Sequence, residues 1–299
     1  MERVGYLNGE FVPQSQMLIS VEDRGFHFGD TVYDVERTFN GQVFRLREHM
    51  ERLYRSLAAV RMDPGLGLKE MERLTLEVVE RNEPLREPGG DYVVRQFVTR
   101  GCGASALDQA PPTVGIFVSP INFTRFAPLF KKGGAHVVFP RTRSYPPEAL
   151  DPKVKHYSRM NFVLAELEAA DVDPEAFPVL LDTEGNITEH VRMNFFLLTN
   201  GVLRSPRERA ILQGISRMTV LELAKNLGIP TVEEDLQPYH AYTADEAFLT
   251  STQPCILPVG RIDNRPLRQQ APGPVVQQLL AAWSELVGVD IVGQVLSHG

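Results

Sequence analysis

Two Asn-Gly dipeptides, Asn8-Gly9 and Asn40-Gly41, each stand between short apolar runs, and a charged segment of helical period follows the second. Asn-Gly readily supplies the left-handed backbone of a tight hairpin turn, so residues 6–12 and 32–44 read as strand hairpins. From Leu46 the run Leu46-Arg47-Glu48-His49-Met50-Glu51-Arg52-Leu53 begins a helix that places Leu46, Met50, Leu53 and Leu57 on one face. A chain that passes from hairpin to amphipathic helix in this way is expected to be mixed α and β.

The same reading continues along the chain. Residues 69–81 form a second helix and residues 92–98 and 114–119 read as buried strands, which gives an α+β first half. Between Asn122 and Gly134 these signals weaken, and Pro128, two lysines and Gly133-Gly134 mark an interdomain linker over 125–134. The expected division is therefore 1–124, linker, and 135–299. In the second half, residues 135–139, 179–182, 194–198 and 246–250 read as strands. Residues 162–170 and 215–227 read as helices, and 274–287 as a closing helix. No internal repeat or low-complexity tract is found.

With 299 residues, 43% of them apolar, either one large domain or two smaller ones can bury a sizeable core without metal or disulfide support. The two cysteines, Cys102 and Cys255, do not form a disulfide framework and fit a reducing, cytoplasmic compartment. A net charge of -7 with scattered basic residues leaves no footprint for nucleic acid. No stretch of 18 apolar residues occurs and the start Met1-Glu2-Arg3-Val4 is not a signal sequence, so no membrane association is expected.

A few residues could carry chemistry. Lys155, in Asp151-Pro152-Lys153-Val154-Lys155-His156, lies between a loop and the following helix, where partial burial would lower its pKa. Glu189 closes a turn begun by Glu184-Gly185-Asn186. Leu212-Gln213-Gly214-Ile215-Ser216-Arg217 opens a helix whose unbonded N–H groups favour phosphate, and Thr250-Ser251-Thr252 offers hydroxyl donors at a strand end. Taken singly, each fits an ordinary surface residue, helix cap or turn equally well. Together they suggest a phosphate-bearing ligand.

In order and spacing these pieces resemble the fold-type IV pyridoxal-phosphate enzymes, the group of branched-chain and D-amino-acid aminotransferases and (R)-selective amine transaminases. The likeness covers nearly the whole chain. It rests on residues 23–30 with Val32-Tyr33, on residues 44–53, on the interval from Lys155 to Glu189 and on Gly214-Ile215-Ser216-Arg217. The resemblance implies a two-domain α/β (α+β) fold, with a smaller N-terminal domain and a larger C-terminal pseudo-barrel. It also implies an active site between the domains, closed by a second subunit of a homodimer. Lys155 would hold pyridoxal 5'-phosphate covalently and then shuttle the proton between substrate and cofactor. Glu189 would face the pyridine nitrogen. Arg52, Ser216, the Ile215 backbone N–H and Thr252 would hold the phosphate, and Leu212 would pack on the ring.

The pocket departs from each subgroup. Arg37 and Arg95 stand where branched-chain enzymes carry arginines near the substrate, and each reads either as a carboxylate partner or as half of an internal ion pair. Arg192 replaces a small residue in Glu189-His190-Val191-Arg192-Met193-Asn194 and is either a carboxylate clamp or an outward-pointing cation. Tyr33 joins these as a substrate-side residue. Val93 and Met160 stand in place of pocket aromatics, Val35 replaces a glycine, and the loop 101–107 lacks the arginine of the (R)-selective amine transaminases. The expected reaction is ping-pong transfer of an amino group from an amino acid, or a chiral amine, to a 2-oxo acid. A lyase of the aminodeoxychorismate type and a non-catalytic cofactor-binding protein are the alternatives.

Overall fold

A computed structural model describes residues 2–297. It divides into two compact units: Met1–Ile121 with Val154–Arg159, and Asn122–Lys153 with Met160–Gly299. Both are mixed α and β.

The first unit contains a six-stranded sheet. Its strands are β1 (Val4–Leu7), β2 (Glu10–Pro13), β3 (Thr31–Phe39), β4 (Gln42–Val43), β5 (Tyr92–Thr99) and β6 (Thr113–Pro120), in the order β2-β1-β6-β5-β3-β4. Every pairing is antiparallel. Asn8 and Asn40 take positive φ in the turns where Asn-Gly predicts them. The short helix α1 (Arg24–Phe28) is capped by the Asp23 carboxylate, which accepts from the Gly25 N–H. Two longer helices, α2 (Leu46–Ala59) and α3 (Leu68–Asn82), cover one sheet face. Met50, Leu53 and Leu57 of α2 and Met71, Leu74 and Val78 of α3 pack with Val94, Val98, Ile116 and Val118. Leu53 is wholly buried, so its side chain contributes ~1.5–3 kcal/mol and Leu53→Ala costs about 2–5 kcal/mol. The opposite helix faces are wet and carry Arg47–Glu51 and Arg73–Glu77 pairs at i,i+4 spacing.

The second unit carries a sheet in the order β12-β11-β10-β13-β14-β7-β8-β9, with β15 beside β14. These strands are β7 (Ala135–Val138), β8 (Phe177–Leu181), β9 (Ile187–His190), β10 (Asn194–Thr199), β11 (Val202–Pro206), β12 (Thr231–Glu234), β13 (Glu246–Ser251), β14 (Cys255–Ile262) and β15 (Arg265–Pro266). The helices are α4 (Ala127–Lys132), α5 (Met160–Ala170), α6 (Ile215–Asn226), α7 (Pro238–Tyr242), α8 (Pro274–Val287) and α9 (Ile291–Ser297). Phe195, Phe196, Phe248 and Leu257 of the central strands are fully buried, and the rings of Phe196 and Phe248 stack at 4.9 Å.

The segment 125–134, read from sequence as a linker, contains α4. Its Pro128 lies in the first turn, where a missing N–H is no loss, and Gly133 is the left-handed C-cap. Phe126, Ala127 and Leu129 are buried. The Pro and Gly that suggested a linker therefore begin and end a helix. Among the described residues no single helix is long and apolar enough to cross a membrane; α8 and α9 pass such a test only as a pair bent by 91°, and Val276, Leu279 and Trp283 of α8 are buried in the protein.

Candidate active site

Lys155 belongs to the first unit. Residues Val154–Arg159 run beside the start of β3: the Tyr33 N–H donates to the Lys155 carbonyl at 3.0 Å, and the Tyr157 N–H donates to the Thr31 carbonyl at 3.2 Å. The Lys155 N–H donates to Ser56 Oγ of α2. Its Nζ lies 4.9 Å from the centre of the Tyr33 ring and has no carboxylate or hydrogen-bond partner among the described residues. Burial, reinforced by the Arg52 cation, pulls its pKa below the ordinary lysine value. Tyr33 shifts in the same direction, against its own burial. Burial acts to raise its pKa, but Lys155 and then Arg159 bring it below the usual phenol value.

Arg52 projects from α2 toward Asp34 of β3. Its Nε donates to Asp34 Oδ2 at 2.9 Å and its Nη2 to Asp34 Oδ1 at 2.6 Å, a two-point pair with both side chains buried. His49, one turn earlier on α2, places Nδ1 2.7 Å from Asp34 Oδ1. Burial alone would raise the Asp34 pKa, yet Arg52 and then His49 hold it far below the carboxylate range. Glu36, two residues on and on the same strand face, has the opposite fate. Burial and the neighbouring Asp34 charge push its pKa well up. One of its oxygens accepts from Gln96 Nε2, and the other has no hydrogen bond. Asp34, Glu36 and His49 thus form a buried cluster behind Arg52 that the sequence reading did not single out. The alternation of Asp34 and Glu36 with the half-buried Tyr33 and Val35 could have flagged these two carboxylates as sharing a face.

Arg95 lies on β5, on the sheet face opposite α2 and α3. Its only hydrogen bond among the described residues is from Nη1 to Ser119 Oγ at 2.9 Å, its guanidinium lies 5.6 Å from the Phe117 ring centre, and no carboxylate pairs with it. Desolvation lowers its pKa. Arg37 is spent differently. It lies 3.6 Å from Asp91, donates to the Thr38 carbonyl and packs on Phe39, all buried. Of the two sequence readings, the internal ion pair is the one the structure contains. Val93 is buried and Met160 is exposed.

In the second unit, Glu189 of β9 is fixed at both oxygens: Oε2 accepts from Asn194 Nδ2 at 2.8 Å and Oε1 from the Leu212 N–H at 3.1 Å. Asn194 is the hub, because Nδ2 also donates to the Leu212 carbonyl at 2.9 Å. A Cβ on Gly214 would come 2.0 Å from Asn194 Oδ1, so only glycine admits this approach. Gly214 is the N-cap of α6, with no side-chain cap, and Ile215 and Ser216 are the first two helical residues. Asn194 also pairs with Thr250 in register, which brings the β13–β14 turn containing Thr252 to the same end of β10. The structure thus gathers Glu189, Leu212, Gly214, Ile215, Ser216 and the Thr252 turn around Asn194, whose part is not evident from sequence. Arg192 stands apart. Its side chain is 60% exposed and pairs with Glu166 at 2.7 Å, so the outward-pointing cation is observed and the clamp is not.

Residues 31–262 match the model of the amino-transferase class IV family. The chain is 38% identical over 287 residues to a putative branched-chain-amino-acid aminotransferase of Methanocaldococcus jannaschii, covering 94% of this chain and 95% of that protein. It is 30% identical to a D-alanine aminotransferase of Bacillus licheniformis, over 92% and 94% of the two chains. The T.th. branched-chain amino acid aminotransferase, solved with pyridoxamine 5'-phosphate, superposes with a TM-score of 0.84 at 28% identity, covering 100% of this chain and 97% of that one. The same enzyme has been solved with N-(5'-phosphopyridoxyl)-L-glutamate. The protein belongs to the class IV aminotransferases.

Proposed function

We propose that this protein is a pyridoxal-phosphate-dependent transaminase whose donor is an amino acid with a free carboxylate, and that Lys155 is its catalytic residue. The observation that carries this reading is the Lys155 amine, half-buried, without a partner among the described residues and with a lowered pKa. Burial shifts such an amine toward its neutral, nucleophilic form. The residues present fit the cofactor. Glu189 is a carboxylate locked by two N–H donors, suited to hold a proton at a ring nitrogen. The α6 N-terminus offers backbone N–H groups without a side-chain cap, as a phosphate requires.

Pyridoxal phosphate, when bound, supplies the electron sink for the bond broken at the substrate α-carbon. Lys155 would take up the proton from that carbon at its Nζ. Ile215, Ser216 and Thr252 would hold the phosphate, Arg52, oriented by Asp34 and His49, would contribute its charge, and Leu212 would pack on the ring. Arg95, half-buried with no acid of its own, binds the substrate carboxylate, and Tyr33 lines the path from it to Lys155. The need for an anion at Arg95 favours an amino acid over a simple amine. The two relatives divide between branched-chain and D-alanine enzymes and leave both hands of donor to be tried.

We further propose that the enzyme works in the cytoplasm as a homodimer. The exposed apolar side chains Leu18, Val21, Phe26 and Phe28 support a self-associating surface. The decisive experiment adds L-leucine, L-glutamate, D-alanine and (R)-1-phenylethylamine singly to the holoenzyme. Loss of the aldehyde-form absorbance with at least one amino acid is expected; its persistence with every donor ends this reading.

A further inference from the structure

Tyr157 has no place in the reading above, yet it lies two residues from Lys155 on the same side of its segment. His156 bridges to Val32, so alternation turns His156 away and directs Lys155 and Tyr157 together. Both meet Tyr33. The Lys155 Nζ is 4.9 Å from the Tyr33 ring centre, and the Tyr157 ring centre is 4.3 Å from it with the planes inclined by 31°. Arg95 is the diagonal neighbour of Tyr33 on that sheet face, because Val35 pairs with Arg95 and Tyr33 with Phe97.

Tyr157 also helps to line a cavity of about 400 Å³, together with Phe97, Phe117, Thr31, Thr99 and Phe26. The cavity is walled mainly by apolar side chains, and Phe117 is also the ring on which Arg95 lies. Tyr157 thus touches both: its ring packs on Tyr33, over which the Lys155 amine lies, and the same side chain, 39% exposed, lines an apolar space large enough for an amino-acid side chain. Its hydroxyl, like that of Tyr33, has no hydrogen-bond partner among the described residues, so no bond within the protein explains a tyrosine here.

We propose that Tyr157 is a specificity-determining residue of the transamination, its ring closing the apolar cavity off from the Lys155 amine and so limiting the donor side chains that are accepted. This rests on the transaminase reading and adds to it a limit on side-chain size. A donor that binds with its carboxylate at Arg95 and its amine at Lys155 lies along Tyr33, and a bulky side chain then runs into the Tyr157 ring. Without that ring the side chain enters the cavity. Filling an apolar pocket discriminates by about 10–200-fold per methylene or so of difference, enough to be read kinetically.

The test compares single-turnover half-reactions of wild type, Tyr157→Phe and Tyr157→Ala with alanine and phenylalanine of both hands. Tyr157→Ala is expected to raise the phenylalanine-to-alanine ratio of kcat/KM by about tenfold or more, and Tyr157→Phe to leave it within about twofold. An equal loss for both donors in Tyr157→Ala, with the cofactor still bound, overturns the proposal. Tyr157→Leu keeps apolar contact with Tyr33 and decides the matter in the same way should the alanine variant not fold. Wild-type enzyme silent toward every donor contradicts the transaminase reading instead, which separates the two failures.

Discussion

The two units hold their candidate residues by different physics. In the first, Arg52, Asp34 and His49 are charged or titratable side chains buried against one another, with Glu36 behind them and Lys155 near by. In the second, Glu189 is held by a neutral amide and a backbone N–H, beside a helix terminus whose dipole does not titrate. The first arrangement responds to pH and punishes the loss of one partner. The second relies on neutral hydrogen-bond donors.

This contrast is sharpest when one partner is removed from each. Asp34→Ala leaves the Arg52 cation buried without its carboxylate and is expected to cost about 3–5 kcal/mol of stability, measured by urea unfolding. Asn194→Ala removes the amide that orients Glu189 and is expected to cost about 1–3 kcal/mol, with weaker cofactor retention as its main phenotype. Equal losses in the two variants would break the comparison.

A subtler effect concerns pH. Asp34 has a depressed folded pKa, so its stabilisation is present above the unfolded carboxylate value and is lost as pH falls below about 4. Glu36 has a raised one, so its contribution is present below about 4 and is lost as pH rises toward its folded pKa. Glu36→Gln removes only the second dependence. Melting temperatures between pH 5 and 8 are expected to fall less with rising pH in this variant than in wild type; parallel curves would show that Glu36 does not titrate apart from Asp34. The smallest change is expected at Arg192, whose exposed pair with Glu166 is worth about 0–1 kcal/mol. Arg192→Ala should keep both stability and kcat/KM within about twofold, and a large rise in KM would restore it as a clamp.

How far these features could be read in advance follows the same divide. Periodicity placed the helices at 46 and 274 and the turns at Asn8 and Asn40, because local pattern and burial agree there. It missed α4, where Pro128 and Gly133 serve as helix boundaries. Around Asn194 the residues are near in sequence or in motif, and the family likeness singles out Glu189, Leu212, Ile215 and Ser216, which the structure brings to one place. The Asp34–Glu36–His49 cluster was not legible in the sequence. Alternation along β3 sets the two carboxylates on one face, but only the packing of α2 decides that this face is the buried one. The arginines show the same limit: Arg37, Arg95 and Arg192 look alike as letters, and only their surroundings separate an ion pair with Asp91, a guanidinium without an acid, and a surface cation.

Lys153 and Lys155 make the point most simply, being two residues apart. Lys153 pairs with Asp151 at 2.9 Å, whereas the Lys155 amine has no partner among the described residues. Reducing the holoenzyme with borohydride, digesting it and locating the phosphopyridoxyl group by mass spectrometry tests this distinction directly. The expected result is the group on Lys155 alone, absent from Lys155→Ala; its appearance on Lys153 or another lysine, or on none, would contradict the assignment.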